Sequence, residues 1–262
     1  MKKETRNLTS LQAVIVDAYT VFGRHRAPAH PLDACTACCL SEELEQEMRQ
    51  LPLNKLSGRH FYEYNTAAKS DTQPADEVLY LLPRMLELIA EGVDVHHSIE
   101  LALQRVGSCP SGSFGQKELD VLDRFALAYF QEALCAECVM AGRCKWHEEP
   151  MSILLMFHMA GLSIEPLLDG WLRTSHPAAT VQWVEATYWR FWEKQEYENP
   201  FADDYPVFKR QIKHWLLNPE HRQRFIEKLM APEFQQLAEL QRPTGHTTFS
   251  TMVDAVFDQL TQ

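Results

Sequence analysis

Apolar residues return every three to four positions in segment after segment of this chain, and nowhere do they alternate over the length of a strand. Leu11, Val14, Ile15, Ala18, Tyr19 and Phe22 make one such stripe, behind Thr9 or Ser10 as a cap. A period of 3.6 gathers these residues on one face of a helix. The same pattern runs from Ser41 to about Gln50, where acidic residues fill a first turn that the helix dipole favours. It returns after Ser57 with Phe61, Tyr62, Tyr64 and Ala68, and over 74–91 with Val78, Leu79, Leu82, Met85, Leu86 and Ile89. Pro83 inside that last segment predicts a kink or a split. A short helix is expected over His96–Val106, a long one over 116–140, and a pair over 151–160 and 164–173 broken at Gly161. An aromatic-rich helix over 178–195 follows, and then helices near 205–217, 219–230, 232–241 and 249–261. Pro206, Pro219 and Pro232 fall at or just inside their starts, where a missing N–H costs little.

The fold class is therefore all-α, an irregular array of about ten or more helices. A HEAT-like stack is an alternative, but no clear repeat period holds over successive units. The expected organisation is a single helical domain over 1–262. Halves over 1–145 and 146–262, divided between Gly142 and Pro150, are the alternative. No run of about 18 apolar residues is present, which excludes a membrane-spanning helix. The start, Met1-Lys-Lys-Glu-Thr-Arg-Asn, lacks the apolar stretch of a secretory signal, so a cytoplasmic protein is expected.

Net charge is −11. Nucleic-acid binders draw affinity from phosphate neutralisation, so this balance argues against direct nucleic-acid binding. It suits a basic protein partner if the charge is concentrated on one surface. Two acidic sets are candidates for such a surface. One is Glu42, Glu43, Glu45 and Glu47, and the other is Asp76, Glu77, Glu87 and Glu91, with Asp94 and Glu100 nearby. Solvated helix faces account for the same residues. The aromatic helix with Trp183, Tyr188, Trp189, Phe191 and Trp192 reads either as core or as an interface.

Six of the seven cysteines lie in two clusters, Cys35-Thr-Ala-Cys38-Cys39 and Cys135-Ala-Glu-Cys138 with Cys144. In a reducing compartment they are free thiols or metal ligands before they are disulfides. Cys135, Cys138, Cys144 and His147 offer three thiols and an imidazole to a tetrahedral Zn. Cys35 and Cys38 paired with Cys135 and Cys138 make a second arrangement, and His25 or His30 can complete a site at the first cluster. Either Zn site would be structural, because four protein ligands leave no open position. The competing reading is that these cysteines pack as small apolar residues. His96, His97 and Glu100 would share one helical face, where they could bind metal or relay a proton. No nucleophile elbow, phosphate-binding glycine loop, His-Glu-x-x-His or dinucleotide fingerprint occurs, which argues against the enzyme classes built on them.

Three stretches carry a resemblance: Cys35-Thr-Ala-Cys-Cys-Leu-Ser-Glu-Glu, Tyr80-Leu-Leu-Pro-Arg-Met-Leu-Glu-Leu, and Ile153-Leu-Leu-Met with Ala160-Gly-Leu and Pro166-Leu-Leu-Asp-Gly-Trp. In them the chain resembles uncharacterised all-helical bacterial proteins with an N-terminal Cys-x-x-Cys-Cys motif, of the kind found as immunity proteins in polymorphic toxin systems. The resemblance spans most of the chain and carries no catalytic motif. It implies a binding protein that neutralises a cognate toxin by occluding it with an acidic helical surface. The alternative is a zinc-binding structural protein or a metalloenzyme built on the cysteine clusters.

Overall fold

The computed structural model of the chain describes residues 10–37, 39–135, 149–243 and 246–262. Among them are thirteen α-helices and no strand; the only β feature is an isolated bridge between Ala34 and Ala68. None of these helices is long and apolar enough to cross a membrane. No clear repeat is seen. The chain divides into two compact units, Met1–Tyr129 with Met156–Ser163, and Phe130–Leu155 with Ile164–Gln262.

The first unit is built on α1 (Leu11–Phe22) packed against α4 (Ala75–Ala90). Ser10 caps α1 through its hydroxyl, which accepts from the Ala13 N–H at 3.3 Å. Val14, Ile15, Ala18 and Phe22 of α1 and Val78, Leu82, Met85 and Leu86 of α4 are all buried. Helices α2 (Glu42–Gln50) and α3 (Gly58–Thr66) pack together and add Met48, Phe61 and Tyr64 to the buried residues. Phe125 of α6 (Gln116–Cys135) stacks on Tyr129 at 5.6 Å, and Phe157 of α7 (Pro150–Met159) meets both rings edge-on.

Two sequence expectations need correction in this unit. Pro83 does not split α4, which is continuous through it. A proline within a helix costs about 3 kcal/mol. Burial of Val78, Leu79, Leu81, Leu82, Met85, Leu86, Leu88 and Ile89 along the same helix, each worth roughly 1.5–3 kcal/mol, outweighs it. His96–Val106 is not one helix. It is an irregular turn, a 3₁₀ turn over Ile99–Leu101 and the one-turn α5 (Gln104–Gly107). His96 Nδ1 accepts from the His97 N–H at 2.9 Å, and Leu103 (φ −114°, ψ 14°) leaves the helical region between the two turns. The long helix α6 is described to Cys135 only.

Two glycines hold the path of the chain here. A Cβ on Gly107 would lie 1.8 Å from the Met159 carbonyl oxygen, so only glycine allows this backbone approach. Gly161 ends α7 with φ +82°. The Leu162 N–H reaches the Phe157 carbonyl at 3.0 Å and the Gly161 N–H reaches that of His158 at 2.9 Å, which is a Schellman termination.

The second unit is assembled around α9 (Pro177–Thr187), which touches α11 (Pro219–Leu229), α12 (Pro232–Ala238) and α13 (Phe249–Thr261). Trp183 stacks face-on with Phe225 at 3.9 Å and 8°. Trp215 of α10 (Pro206–Leu217) meets Phe225 edge-on and lies 6.0 Å from Trp171 of α8 (Glu165–Arg173). The three prolines open α10, α11 and α12, and the Asn218 side chain caps α11 by accepting from Glu220 N–H at 2.9 Å. The aromatic segment 178–195 is not one helix: α9 passes into a π turn over Tyr188–Trp192. That turn buries Phe191 and Trp192 and leaves Trp189 exposed at 51%.

Candidate functional site

In the first unit the Pro-, His- and Cys-rich loop is pinned to the end of α3. The Cys35 N–H donates to the Ala67 carbonyl at 2.6 Å beside the Ala34–Ala68 bridge. Two carboxylates seize the backbone just before it. Glu45 accepts from the Leu32 N–H at 2.8 Å, and Glu77 accepts from the Asp33 N–H at 2.9 Å. Asp33 in turn accepts from the Ser70 N–H at 3.1 Å, the Ser70 hydroxyl at 2.9 Å and the Gln73 amide at 3.3 Å.

Beneath this loop lies a buried polar network. The Arg105 guanidinium stacks 3.7 Å above the Tyr64 ring. It donates to the Asp33 carbonyl at 3.2 Å, to Gln73 Oε1 and to the Tyr64 carbonyl. Glu77 Oε1 stands 3.8 Å from Arg105 Nη1. Tyr64, Glu77 and Arg105 are all buried, and the Tyr64 hydroxyl and the Glu77 carboxylate interact with each other.

The electrostatics follow from burial. Desolvation pushes the Glu77 carboxyl above its ordinary range, although Tyr64, the Asp33 N–H and Arg105 pull it down. Burial likewise raises the Tyr64 phenol well above its usual value and the Cys109 thiol to about 11. His96 is lowered to about 4, by burial first and then by the neighbouring His97 and Arg105 charges.

Glu77 forms part of the wall of an open cleft of about 670 Å³. Asp33, Gln73 and Asp76 line it with Glu77, as do His30 and Lys69. Asp76 is exposed. The cleft thus offers two partly engaged carboxylates and one exposed one to a cation, which a guanidinium or ammonium group matches by charge and by donor count.

The remaining acidic candidates divide by environment. Glu42, Glu43 and Glu91 are exposed. Glu43 is held below the usual carboxylate range by backbone and Ser41 hydrogen bonds at the start of α2. Glu45 is buried and gripped by both arms of Arg49, at 2.7 and 2.9 Å. Glu87 accepts from Arg84 and the Tyr19 hydroxyl, both at 2.5 Å. Glu45, Glu77 and Glu87 are therefore engaged within the molecule and add little to an external acidic face. Glu47, half-exposed, accepts from His60 Nε2 at 2.9 Å. Ser57 presents both its N–H (3.0 Å) and its hydroxyl (2.8 Å) to His60 Nδ1, completing a capping box on α3. The backbone donor makes Nδ1 an acceptor, so Nε2 carries the proton given to Glu47.

Of the proposed metal ligands, Cys38, Cys138, Cys144 and His147 lie outside the described residues. Cys35 sits half-buried on the loop beside the cleft. Cys135 ends α6 with its thiol raised by burial and lowered in part by Thr174. Among the described residues no group of three or more His, Cys, Asp or Glu is arranged to hold a metal ion. His25 donates to Glu118 at 2.6 Å, beside Arg24 at 2.7 Å. Burial pushes Glu118 up, but His25, the Gly115 N–H and Arg24 outweigh it and hold the carboxyl below its ordinary range. The shared helical face expected for His96, His97 and Glu100 does not form, because 96–98 is not helical; the two imidazoles instead lie 4.3 Å apart and Ser98 donates to Glu100.

Sequence reasoning missed Asp33, Tyr64, Gln73 and Arg105 as a set. The available signal was Arg105 itself, a charged residue between Leu103 and Val106 in an apolar stretch. No family model matches this chain, and no curated protein or solved structure does either.

Proposed function

We propose that the chain is a binding protein whose acidic cleft receives a basic element of a protein partner. In its most concrete form it is an immunity protein that occludes the active site of a basic toxin domain. The observation that carries this reading is the open cleft that Asp33, Asp76 and Glu77 line, with Asp76 exposed on it. An inserted arginine or lysine would meet the exposed Asp76. The net charge of −11 supports the same direction, since it speeds encounter with a basic surface. Residues Glu42, Glu43 and Glu91 add to the field without touching the cleft wall. The test is co-expression with the product of the adjacent gene. A complex that survives purification, with rescue of growth, supports the reading; no complex and no rescue removes it.

A further inference from the structure

Ser57, His60 and Glu47 form a chain of polar side chains at the start of α3, outside the acidic cleft. Ser57 Oγ stands 2.8 Å from His60 Nδ1, and His60 Nε2 stands 2.9 Å from Glu47 Oε2. The Ser57 N–H donates to the same Nδ1 at 3.0 Å, which leaves the lone pair on Nδ1 and the proton on Nε2. In that tautomer the Ser57 hydroxyl is the donor to Nδ1. A hydroxyl that donates to an imidazole, whose far N–H is held by a carboxylate, is the arrangement that activates a serine for attack. Other acyl-transfer enzymes place a serine nucleophile three residues before a lysine, and here the residue at that spacing is His60.

A capping box accounts for the Ser57 N–H contact. It requires neither hydroxyl donation to Nδ1 nor a carboxylate on Nε2. Glu47 reaches the ring from α2, so its contact is not imposed by the turn that joins Ser57 to His60. Exposure is distributed as the chemistry needs. His60 is buried, which holds the ring in place, while Ser57 is exposed and its oxygen is open to a substrate.

The next residue, Gly58, carries no side chain beside the nucleophile, and a Cβ there would collide with Val93 Cγ1. Val93 is itself partly exposed and offers an apolar surface to an acyl group. The Gly58 and Arg59 N–H groups have no partner within α3, since they belong to its first turn. They stand at the positive end of the helix dipole, which favours the oxyanion of a tetrahedral intermediate.

We propose that Ser57 is a nucleophile for acyl transfer from small activated esters, with His60 as its base and Glu47 as a positioning residue. Ser57 Oγ attacks the ester carbonyl as its proton passes to His60 Nδ1. The bond to the leaving oxygen breaks, and that oxygen departs with the electron pair and the proton from the imidazolium. Water, giving a proton to the same imidazole, then attacks the acyl-serine, and Oγ regains its proton from His60. The probe is p-nitrophenyl acetate with the full chain, followed by nitrophenol release. A burst and a steady rate above that of buffer are expected, and a fluorophosphonate should add its mass to the peptide containing Ser57. Ser57→Asn keeps a strong helix cap and removes the hydroxyl, so it is expected to fold, which circular dichroism checks. It should abolish both the burst and the adduct. Glu47→Gln, at a half-exposed position, should lower kcat by about tenfold or more with KM unchanged. An equal burst in folded Ser57→Asn overturns the proposal, as does the absence of burst and adduct in the natural chain. An unchanged kcat in Glu47→Gln contradicts the positioning role.

Discussion

Glu77 Oε1 and Arg105 Nη1 face each other 3.8 Å apart, with each residue 4% exposed. At that separation they attract without sharing a hydrogen bond. The guanidinium is satisfied instead by the Asp33 carbonyl, Gln73 and the Tyr64 carbonyl, and the carboxylate by the Asp33 N–H. The pair thus ties the loop at Asp33 to α4 and α5.

Removing one member of this pair strands the other. Arg105→Ala is expected to cost about 3–5 kcal/mol, because it leaves Glu77 buried without its cation and deletes three donors. The double variant Glu77→Leu with Arg105→Met should cost less than the sum of the two single changes. Urea unfolding of the three variants checks both statements. Additive losses would show that the two charges are not coupled.

The fold was legible in the sequence wherever a stripe had clear ends. Ser10 and Ser41 accept first-turn N–H groups, and three helices open on proline, as the local signals predict. Pro83 misled because the helix around it is buried on several sides, and packing there outweighs a local penalty. His96–Val106 misled for the opposite reason. Its apolar spacing suited a helix, but Arg105 is held by Gln73, Tyr64 and Asp33, partners far away in sequence. The cleft was half legible. Charge singled out Asp76 and Glu77, but nothing local distinguishes a carboxylate that faces water from one that captures a distant backbone N–H.

Acid should weaken the protein through His96. Its imidazole is lowered from 6.5 to about 4 in the folded chain. Between those values the unfolded chain binds a proton that the folded chain refuses. The contribution is therefore complete above pH 6.5 and lost as pH falls toward 4. His96→Gln, which keeps an acceptor for the His97 N–H, should flatten the difference in urea midpoint between pH 7 and pH 4.5 by roughly 1–2 kcal/mol. An identical pH dependence in the variant would contradict this assignment.

Gly107→Ala should destabilise by about 2–3 kcal/mol, since the new methyl group meets the Met159 carbonyl and the backbone must shift. Thermal unfolding reads the effect. A neutral outcome would mean that α5 and the end of α7 separate more easily than their packing indicates.

The two tryptophans of the aromatic segment should behave differently. Trp183→Ala removes a ring stacked on Phe225 in the core and should cost about 3–5 kcal/mol. Trp189→Ala, at an exposed position, should change stability by no more than about 0.5 kcal/mol. Chemical denaturation separates the two, and a large loss at Trp189 would assign it to the core.

The most direct measurement of the proposed role is the affinity of the purified complex with its basic partner, for the natural chain and for Asp76→Lys, at low and physiological salt. Asp76 is exposed on the cleft and outside the buried network, so its reversal alters the field without stranding a charge. The account predicts that Asp76→Lys weakens binding by about tenfold or more and that added salt weakens the natural complex. Equal affinity for both proteins, unmoved by salt, would contradict it.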